Sequence, residues 1–416
     1  MVHWSYSGDR WWQGLPILFL MMLAFGCAGS SPADDGAPKN TDDTSPSMPG
    51  MASYSDLKTV VPSSAMPTEV KSMMAHNNLD IIRFKERLFF AFRTAPDHFA
   101  SPKTMLYVVS TADEETWRFE GAFNEGRDLR EPRFLVIGDR LILFYARLGV
   151  ERTAFEPGVA RRAIYQAPGQ WTPSEDVFGG GFIPWRIVMK DGTAYLMGYI
   201  ENGSIYSGKE SNSLVQWFKS DDGDVWTPVT PNGPTMMVGG VSETAFAFMA
   251  NGDLVTVGRN EAGDKGGFGS RICHAPADDL YAWRCKDAPK KYDSPLVFRH
   301  GNQAYLIGRR HLTEDGHYDQ SDADDDLVAQ RLSNLAAYWN VAKRCALWRV
   351  DPKALTVEWV LDFPTAGDTC FASIVPHGAN QYLMYDYRSV TDDPDIGWVI
   401  GQRGPTEIYR AVLSLP

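Results

Sequence analysis

The sequence predicts an all-β protein, a six-bladed β-propeller with a short helical insertion in its fifth blade. Three observations support this prediction: six tight turns that each join two alternating apolar runs, a Trp-containing segment late in most units, and one stretch with helical spacing. The 416 residues are 44% hydrophobic and 12% aromatic, which is enough for a large core. Two packed β-sandwiches are the alternative, and they explain the repeated hairpins less well.

The six turns mark the inner hairpins of the six units. Their flanks alternate in the manner of β-strands, for example in RFLVIGDRLILFYAR. The turns fall at Lys85-Glu86, Gly138-Asp139, Asp191-Gly192, Asn251-Gly252, Gly301-Asn302 and Gly378-Ala379. Units of about 50 to 75 residues with this pattern are typical of propeller blades.

The fifth unit is long because it contains the helical stretch. Its apolar residues recur at helical spacing at Leu327, Leu332, Leu335 and Trp339. The acidic run between Asp322 and Asp326 lacks the Gly and the distal Glu of an EF-hand loop, which favours a helix N-terminus over a calcium site. We expect neither a metal nor another cofactor.

The N-terminal region has the features of an exported protein. Residues 15–25 form an apolar run of 11 residues after Arg10, which favours a signal peptide over a membrane span. The segment LAFGCAGSS resembles a bacterial lipobox and would make Cys27 the lipidated residue of a protein on the cell envelope. We expect a signal peptide at 1–27, a flexible tether at 28–70 and the propeller at 71–416. A plain secretory signal is the alternative.

Four cysteines follow Cys27, and an even number suits two disulfides in an oxidising compartment. Cys273 and Cys285 flank a predicted hairpin and would pair locally, leaving Cys345 with Cys370. The net charge of −12 argues against a general nucleic-acid surface. The expected partners are a glycan or polysaccharide substrate and, through the lipid anchor only, the membrane, and we expect a monomer.

Charged residues recur at the hairpin ends opposite the turns, where the inner strands of all blades would converge. About seven residues before the turns stand Asn78, Glu131, Trp185, Glu243, Ser294 and Phe371. Seven or eight residues after them stand Arg93, Arg147, Tyr199, Arg259, Arg309 and Arg388. The repeated register predicts a cationic funnel with embedded carboxylates. For each single arginine, a surface or inter-blade salt bridge is the alternative.

The predicted site lies at this mouth. Its expected catalytic carboxylates are Glu243, Asp97 and Glu131, and its expected substrate-binding residues are His76, Asp80, Arg93, His98, Arg130, Trp185, Arg259 and Arg309. Asp97 follows Arg93 in a loop, where its carboxyl would serve as a general acid. Trp185 would stack on a sugar face or plug the base of the funnel.

These patterns resemble those of sialidases and sialidase-like bacterial propellers over about residues 76–416. TADEETW (111–117) and SDDGDVW (220–226) resemble the Asp box, a structural hairpin motif repeated in such propellers. In the family a Glu begins a strand of blade 4 and a carboxylate-binding Arg ends the next, and Glu243 and Arg259 fit this pattern. The resemblance also implies Arg309 as a further carboxylate-binding arginine and Asp97 as the acid/base.

Two segments depart from the family pattern. Phe371 stands where the resemblance implies a nucleophilic Tyr, and HNNLDIIRF stands in place of the motif that supplies the first arginine of the triad. Tyr199, Tyr385 and Tyr387 are possible substitutes for the nucleophile. Three functions therefore stay open. The first is a glycoside hydrolase acting on a terminal sugar, acidic sugars included, of extracellular glycans. The others are a non-catalytic glycan-binding or scaffold lipoprotein and a uronate polysaccharide lyase.

Overall fold

Six antiparallel sheets form the protein, which is a six-bladed β-propeller. The computed structural model describes residues 51–152, 154–203, 205, 206, 209, 211–313 and 326–416. The chain starts with β1 (Ser53–Tyr54) and β2 (Lys58–Val61). Blade 1 contains β3 (Ala75–Phe84), β4 (Arg87–Ala95), β5 (Met105–Thr111) and β6 (Trp117–Phe123). Blade 2 contains β7 (Leu129–Ile137), β8 (Arg140–Leu148), β9 (Pro157–Ala167), β10 (Gln170–Trp171) and β11 (Glu175–Gly180).

The other four blades repeat this order. Blade 3 contains β12 (Phe182–Lys190), β13 (Thr193–Asn202), β14 (Asn212–Ser220), β15 (Thr227–Pro228) and β16 (Thr235–Gly239). Blade 4 contains β17 (Val241–Phe248), β18 (Leu254–Asn260), β19 (Ser270–Ala275) and β20 (Arg284–Ala288). Blade 5 contains β21 (Asp293–His300), β22 (Gln303–His311), helix α1 (Leu327–Asn340), β23 (Lys343–Asp351) and β24 (Thr356–Asp362). Blade 6 contains β25 (Ser373–Pro376), β26 (Gln381–Ser389), helix α2 (Trp398–Gly401) and β27 (Thr406–Ser414).

The second strand of each blade is buried on both faces because a neighbouring blade covers each face. In β4, Phe90 packs on Tyr385 of blade 6 with 5.1 Å between ring centroids. Phe89, which points the other way, packs on Tyr165 of blade 2 at 5.2 Å. The strand RLFFAFRTA therefore contains the continuous apolar run LFFAF instead of a strict alternation.

Blade 6 joins the two ends of the described chain. Strands β1 and β2 both pair with β27, which makes them the outer edge of this blade. Val60 and Val61 are buried there. The boundary predicted between tether and propeller is therefore wrong for residues 53–61, because the short apolar segment KTVV completes a sheet.

Two aspartates close outer hairpin turns in blades 1 and 3. Asp113 Oδ1 accepts hydrogen bonds from the backbone N–H groups of Glu115 and Thr116 at 3.0 and 2.7 Å. Asp222 Oδ1 does the same for Asp224 and Val225 at 2.8 and 2.9 Å. The tryptophans that follow these turns pack against the preceding blade, Trp117 on Tyr385 and Trp226 on Phe144.

The helical insertion in blade 5 is confirmed as α1. Asp326 caps it by accepting hydrogen bonds from Val328 N and Ala329 N. The rest of the acidic run, 322–325, lies outside the described residues. Both expected disulfides are present, Cys273 with Cys285 and Cys345 with Cys370. No helix in the described part of the chain is long and apolar enough to cross a membrane.

Candidate active site

The inner strands open into one polar pocket at the end of the propeller opposite the hairpin turns. It contains about 630 Å³ of empty space, including the part open to solvent. The pocket is lined by Asn78, His98, Arg130, Glu131, Phe155, Tyr199, Glu201, Tyr206, Glu243, Arg259, Glu261, Ser294, Arg309, Phe371, Tyr387 and Trp398. Every blade contributes residues to this lining, so the pocket is complete only when all six blades are in place.

A β-bulge near the start of the innermost strand helps to position the lining in five of the six blades. The register between the first two strands shifts at Asn77/Leu79, Arg130/Arg133, Pro184/Arg186, Val241/Thr244 and Asp293/Leu296. Three lining residues at these shifts, Asn78, Glu131 and Ser294, have a positive φ of 40°, 52° and 48°. An extra residue breaks the regular alternation of a strand and re-aims a side chain. The bulges thus present side chains to the pocket that regular strands would direct elsewhere.

Arg259 forms the centre of an ionic cluster on the blade 4 wall. Its Nη2 lies 3.1 Å from Glu243 Oε1 and also contacts Glu261 Oε2. Glu243 Oε2 accepts a hydrogen bond from Ser294 N at 3.0 Å. Burial raises the pKa of Glu243 to about 7, although Arg259 acts in the opposite direction. Glu243 therefore holds a proton in a substantial fraction of molecules at neutral pH.

Two further carboxylates face the same space. Burial, helped by Glu261, raises the pKa of Glu201 well above its ordinary value. Burial also raises the pKa of Glu131, against the effect of nearby arginines. Among the described residues, neither Glu201 Oε2 nor Glu131 Oε2 has a hydrogen-bond partner. Each has one buried oxygen able to accept a hydrogen bond from a ligand.

A histidine–aspartate pair occupies the opposite wall. His98 Nδ1 lies 2.6 Å from Asp368 Oδ2, and a carboxylate can only accept, so the proton is assigned to Nδ1. Asp368 Oδ1 accepts from Tyr387 Oη at 2.8 Å and from Trp398 Nε1 at 3.1 Å. Burial lowers the pKa of His98 despite this partner. The imidazole is thus neutral near pH 7, with Nε2 as its basic nitrogen.

The floor of the pocket is an aromatic and cationic stack on the propeller axis. Phe371 contacts Trp185 edge to face at 5.4 Å. Arg133 lies over both rings, 4.5 Å from Phe371 and 5.3 Å from Trp185. Trp185 is fully buried, so the structure assigns it to the plug beneath the pocket and not to a sugar-stacking position.

Six of the eleven predicted site residues line the pocket: Glu131, Glu243, His98, Arg130, Arg259 and Arg309. The other five do not line it. Arg93 is buried against Asp128, with Nη2 to Oδ1 at 2.7 Å. Asp97 pairs with Arg152 at 2.7 Å. Asp80 accepts hydrogen bonds from Phe134 N and Ser373 Oγ, which connects blade 1 to its two neighbours.

His76 and the outer arginines also have structural surroundings. Burial lowers the pKa of His76 to about 4, and its backbone N–H donates to Thr406 Oγ1. Arg147 pairs with Glu125, and Arg388 pairs with Glu407, both outside the pocket lining. The predicted ring of five arginines is therefore wrong for Arg93, Arg147 and Arg388, because each pairs with a carboxylate outside the lining.

Several lining residues are absent from the sequence prediction. Glu201 follows Tyr199 by two residues and Glu261 follows Arg259 by two, so strand alternation could have found both. Tyr206 lies in the segment between β13 and β14, and Trp398 begins the short helix α2; neither has such a signal. Of the three tyrosines considered as nucleophiles, Tyr199 and Tyr387 line the pocket and Tyr385 lies between blades 1 and 6.

Metal-ligand geometry occurs at one place in the described residues. Cys345, Cys370 and Asp386 have ligand atoms within 4.8 Å of one another. The two cysteines form a disulfide, so they offer no thiolates to a metal.

No protein-family model matches this chain, and no curated protein matches it in sequence. Solved structures do match. A protein of unknown function from Dyadobacter fermentans matches with a TM-score of 0.57 at 13% identity, over 89% of this chain and 100% of that one.

Two sialidases also match. Trypanosoma rangeli sialidase has a TM-score of 0.55 at 11% identity, over 87% of this chain and 59% of that one. The phage phi92 endosialidase has a TM-score of 0.54 at 10% identity, over 83% of this chain and 68% of that one. At these identities the likeness concerns the fold. The chain has the fold of sialidase-type six-bladed propellers.

Proposed function

We propose that the protein is an exported glycoside hydrolase that acts on a terminal sugar of an extracellular glycan, with Glu243 as its general acid. The observation that carries this proposal is a buried carboxyl group with a pKa of about 7 in the axial pocket of a sialidase-type propeller. A carboxylic acid tuned to this range can protonate a departing glycosidic oxygen at neutral pH.

His98 is the proposed general base. Asp368 fixes its tautomer, so Nε2 can take a proton from a water molecule that attacks the anomeric carbon. The leaving oxygen then takes the proton of Glu243, which leaves a carboxylate beside Arg259. This route needs no tyrosine nucleophile, which agrees with Phe371 at the position where sialidases have one. The high pKa of Tyr387 also makes its phenol a poor nucleophile.

The shape of the pocket favours an exo-acting enzyme. Arg133, Phe371 and Trp185 fill the axis beneath the lining residues. A chain end can enter from the mouth, whereas a continuous polymer has no exit through this plug.

Two finer features belong to the same proposal. The hydrogen bonds of Asp113 and Asp222 support the assignment of TADEETW and SDDGDVW as Asp boxes. Export and lipidation at Cys27 rest on the sequence of residues 1–27, which lie outside the described part of the chain. Together these features fit a protein that works on glycans at the cell envelope.

The test is hydrolysis of a panel of neutral and acidic aryl glycosides and oligosaccharides. We expect Glu243→Gln and His98→Gln each to lower kcat/KM by about 10²–10⁴-fold on the active substrate, since each removes one proton-transfer step. Glu125→Gln is the matched control, because Glu125 also pairs with arginines, Arg147 and Arg161, but lies outside the pocket lining.

The outcomes separate the three functions. Hydrolysis that persists in Glu243→Gln contradicts the assigned acid. Release of unsaturated products supports a lyase instead. Glycan binding without turnover by any member of the panel supports a binding protein and overturns the proposed hydrolase.

A further inference from the structure

The guanidinium groups of the pocket are already engaged by the protein. A carboxylate-binding site needs arginine N–H groups that face the ligand without a competing anion. Arg259 contacts two carboxylates, Glu243 and Glu261. These two carboxyl groups occupy Nη2 of Arg259, which the carboxylate of an acidic sugar would otherwise contact.

The other two arginines of the lining have protein partners as well. Arg130 Nε donates to Asp128 Oδ2 at 2.5 Å, and its Nη2 donates to the carbonyl oxygen of His98 at 2.6 Å. Arg309 uses all three of its nitrogens: Nε donates to Thr369 O at 2.6 Å, Nη1 to Tyr338 Oη at 2.8 Å and Nη2 to Cys370 O at 3.4 Å. Neither presents the paired free N–H groups of a bidentate clamp.

Four buried atoms of the lining have no hydrogen-bond partner in the described residues. Three are acceptors, Asn78 Oδ1, Glu131 Oε2 and Glu201 Oε2, and one is a donor, Arg259 Nε, which lies 3.9 Å from Asp293 Oδ1. A buried acceptor that stays unpaired destabilises the free protein, so a ligand that supplies a donor is favoured. Sugar hydroxyl groups supply such donors. An anionic group would bring like charge toward Glu261, which pairs with Arg259, and would offer no donor to Glu131 Oε2 or Glu201 Oε2.

We propose that this pocket selects a terminal sugar without a carboxylate group, held by hydroxyl donation to Glu131 and Glu201, and that Glu261 enforces the selection by occupying Arg259. The inference rests on the proposed function for its choice of pocket and ligand. It reverses the charge preference that the arginines suggest in the sequence. Glu261 is thereby a specificity-determining residue that takes no part in proton transfer.

Equilibrium binding measured by calorimetry tests this inference without requiring turnover. The probes are two matched pairs of methyl glycosides, glucoside with glucuronide and galactoside with galacturonide, together with N-acetylneuraminic acid. At pH 7 we expect the neutral member of at least one pair to bind at least about tenfold more tightly than its acidic partner. N-acetylneuraminic acid should bind no better than the uronides.

Glu261→Gln removes the carboxylate that pairs with Arg259 Nη2 beside Glu243. We expect the ratio of neutral to acidic affinity to fall by about tenfold in this variant. Glu125→Gln, outside the pocket, should leave the ratio unchanged. Stronger binding of the acidic members by the wild-type protein, or binding of none of the probes, overturns the inference even where Glu261→Gln fails to fold. Hydrolysis of acidic substrates alone would uphold the proposed hydrolase while refuting the selection of neutral sugars.

Discussion

Glu243 and Asp293 show how neighbours set the charge of a buried carboxyl group. Both approach Arg259, at 3.1 and 3.9 Å. Burial favours the neutral form of both carboxyl groups. For Asp293, His311 and Lys291 outweigh burial and lower the pKa below its ordinary value. For Glu243, the neighbouring carboxylates add to the effect of burial, and the pKa is raised. The cluster therefore holds one acid that stays ionised, Asp293, and one that can carry the proton of a general acid, Glu243.

The pH dependence of activity follows from these shifts. Glu243 must carry a proton and His98 must be neutral, so kcat/KM should be highest between the lowered pKa of His98 and about pH 7. Above pH 7 it should fall about tenfold per pH unit, because only the protonated Glu243 donates. Initial rates measured from pH 4 to pH 9 check this, and a plateau extending to pH 9 would contradict it.

Asp386 gives a control that separates stability from activity. Burial raises its pKa to about 7, and it lies outside the pocket lining. A raised folded-state pKa stabilises the fold at low pH, so the contribution of Asp386 falls as the pH rises from about 4 to about 7. Asp386→Asn should flatten the pH dependence of the free energy of unfolding. The fall of kcat/KM above about pH 7 should stay as in the wild-type protein.

At the scale of elements, the bulged innermost strands connect the fold to the site. The hairpin pattern in the sequence predicts which strand ends meet, and five of the six residues counted before the turns do line the pocket. The exception is Trp185, which lies in the plug. Alternation alone does not reveal a bulge, since the extra residue is recognised only from the pairing register.

Ser294 tests the bulge in blade 5. Its φ of 48° is unfavourable for a β-branched residue. We expect Ser294→Val to lower the free energy of unfolding by about 1–3 kcal/mol and to raise KM, because the N–H group that holds Glu243 moves.

Ser294→Gly is the matched variant, since glycine accepts this φ and keeps the N–H group. It should be at least as stable as the wild-type protein in denaturant titrations. Equal stability of the Val and Gly variants would show that the bulge imposes no constraint on this residue.

Which residues face the pocket depended on partners distant in sequence. Arg93 had the expected position in β4, but Asp128 of the next blade draws its guanidinium into the interior. Arg147 and Arg388 likewise pair with glutamates outside the pocket lining. Sequence periodicity predicts the position of an arginine on its strand. Whether its guanidinium group faces the pocket or forms a structural ion pair depends on a carboxylate from another part of the chain.

At the scale of the whole molecule, β1 and β2 close the ring. We expect a chain that starts at Ser63 to melt at a lower temperature than one that starts at Met51, because it loses Val60 and Val61, each of which contributes about 1.5–3 kcal/mol when fully buried. The exposed edge of β27 should also promote self-association. Thermal unfolding and size-exclusion chromatography compare the two chains, and identical melting temperatures would refute a role for these strands.

The pairing of the two ends of the described chain in blade 6 also makes the closure of the ring a late step of folding. Thr59 donates a hydrogen bond to Glu407, a partner 348 residues further along the chain. Contacts of such separation form late because a very long loop must close first. A nascent chain interrupted after blade 5 therefore holds five blades in an open arc with two bare faces. That intermediate is the species that chaperones would shield and proteases would remove.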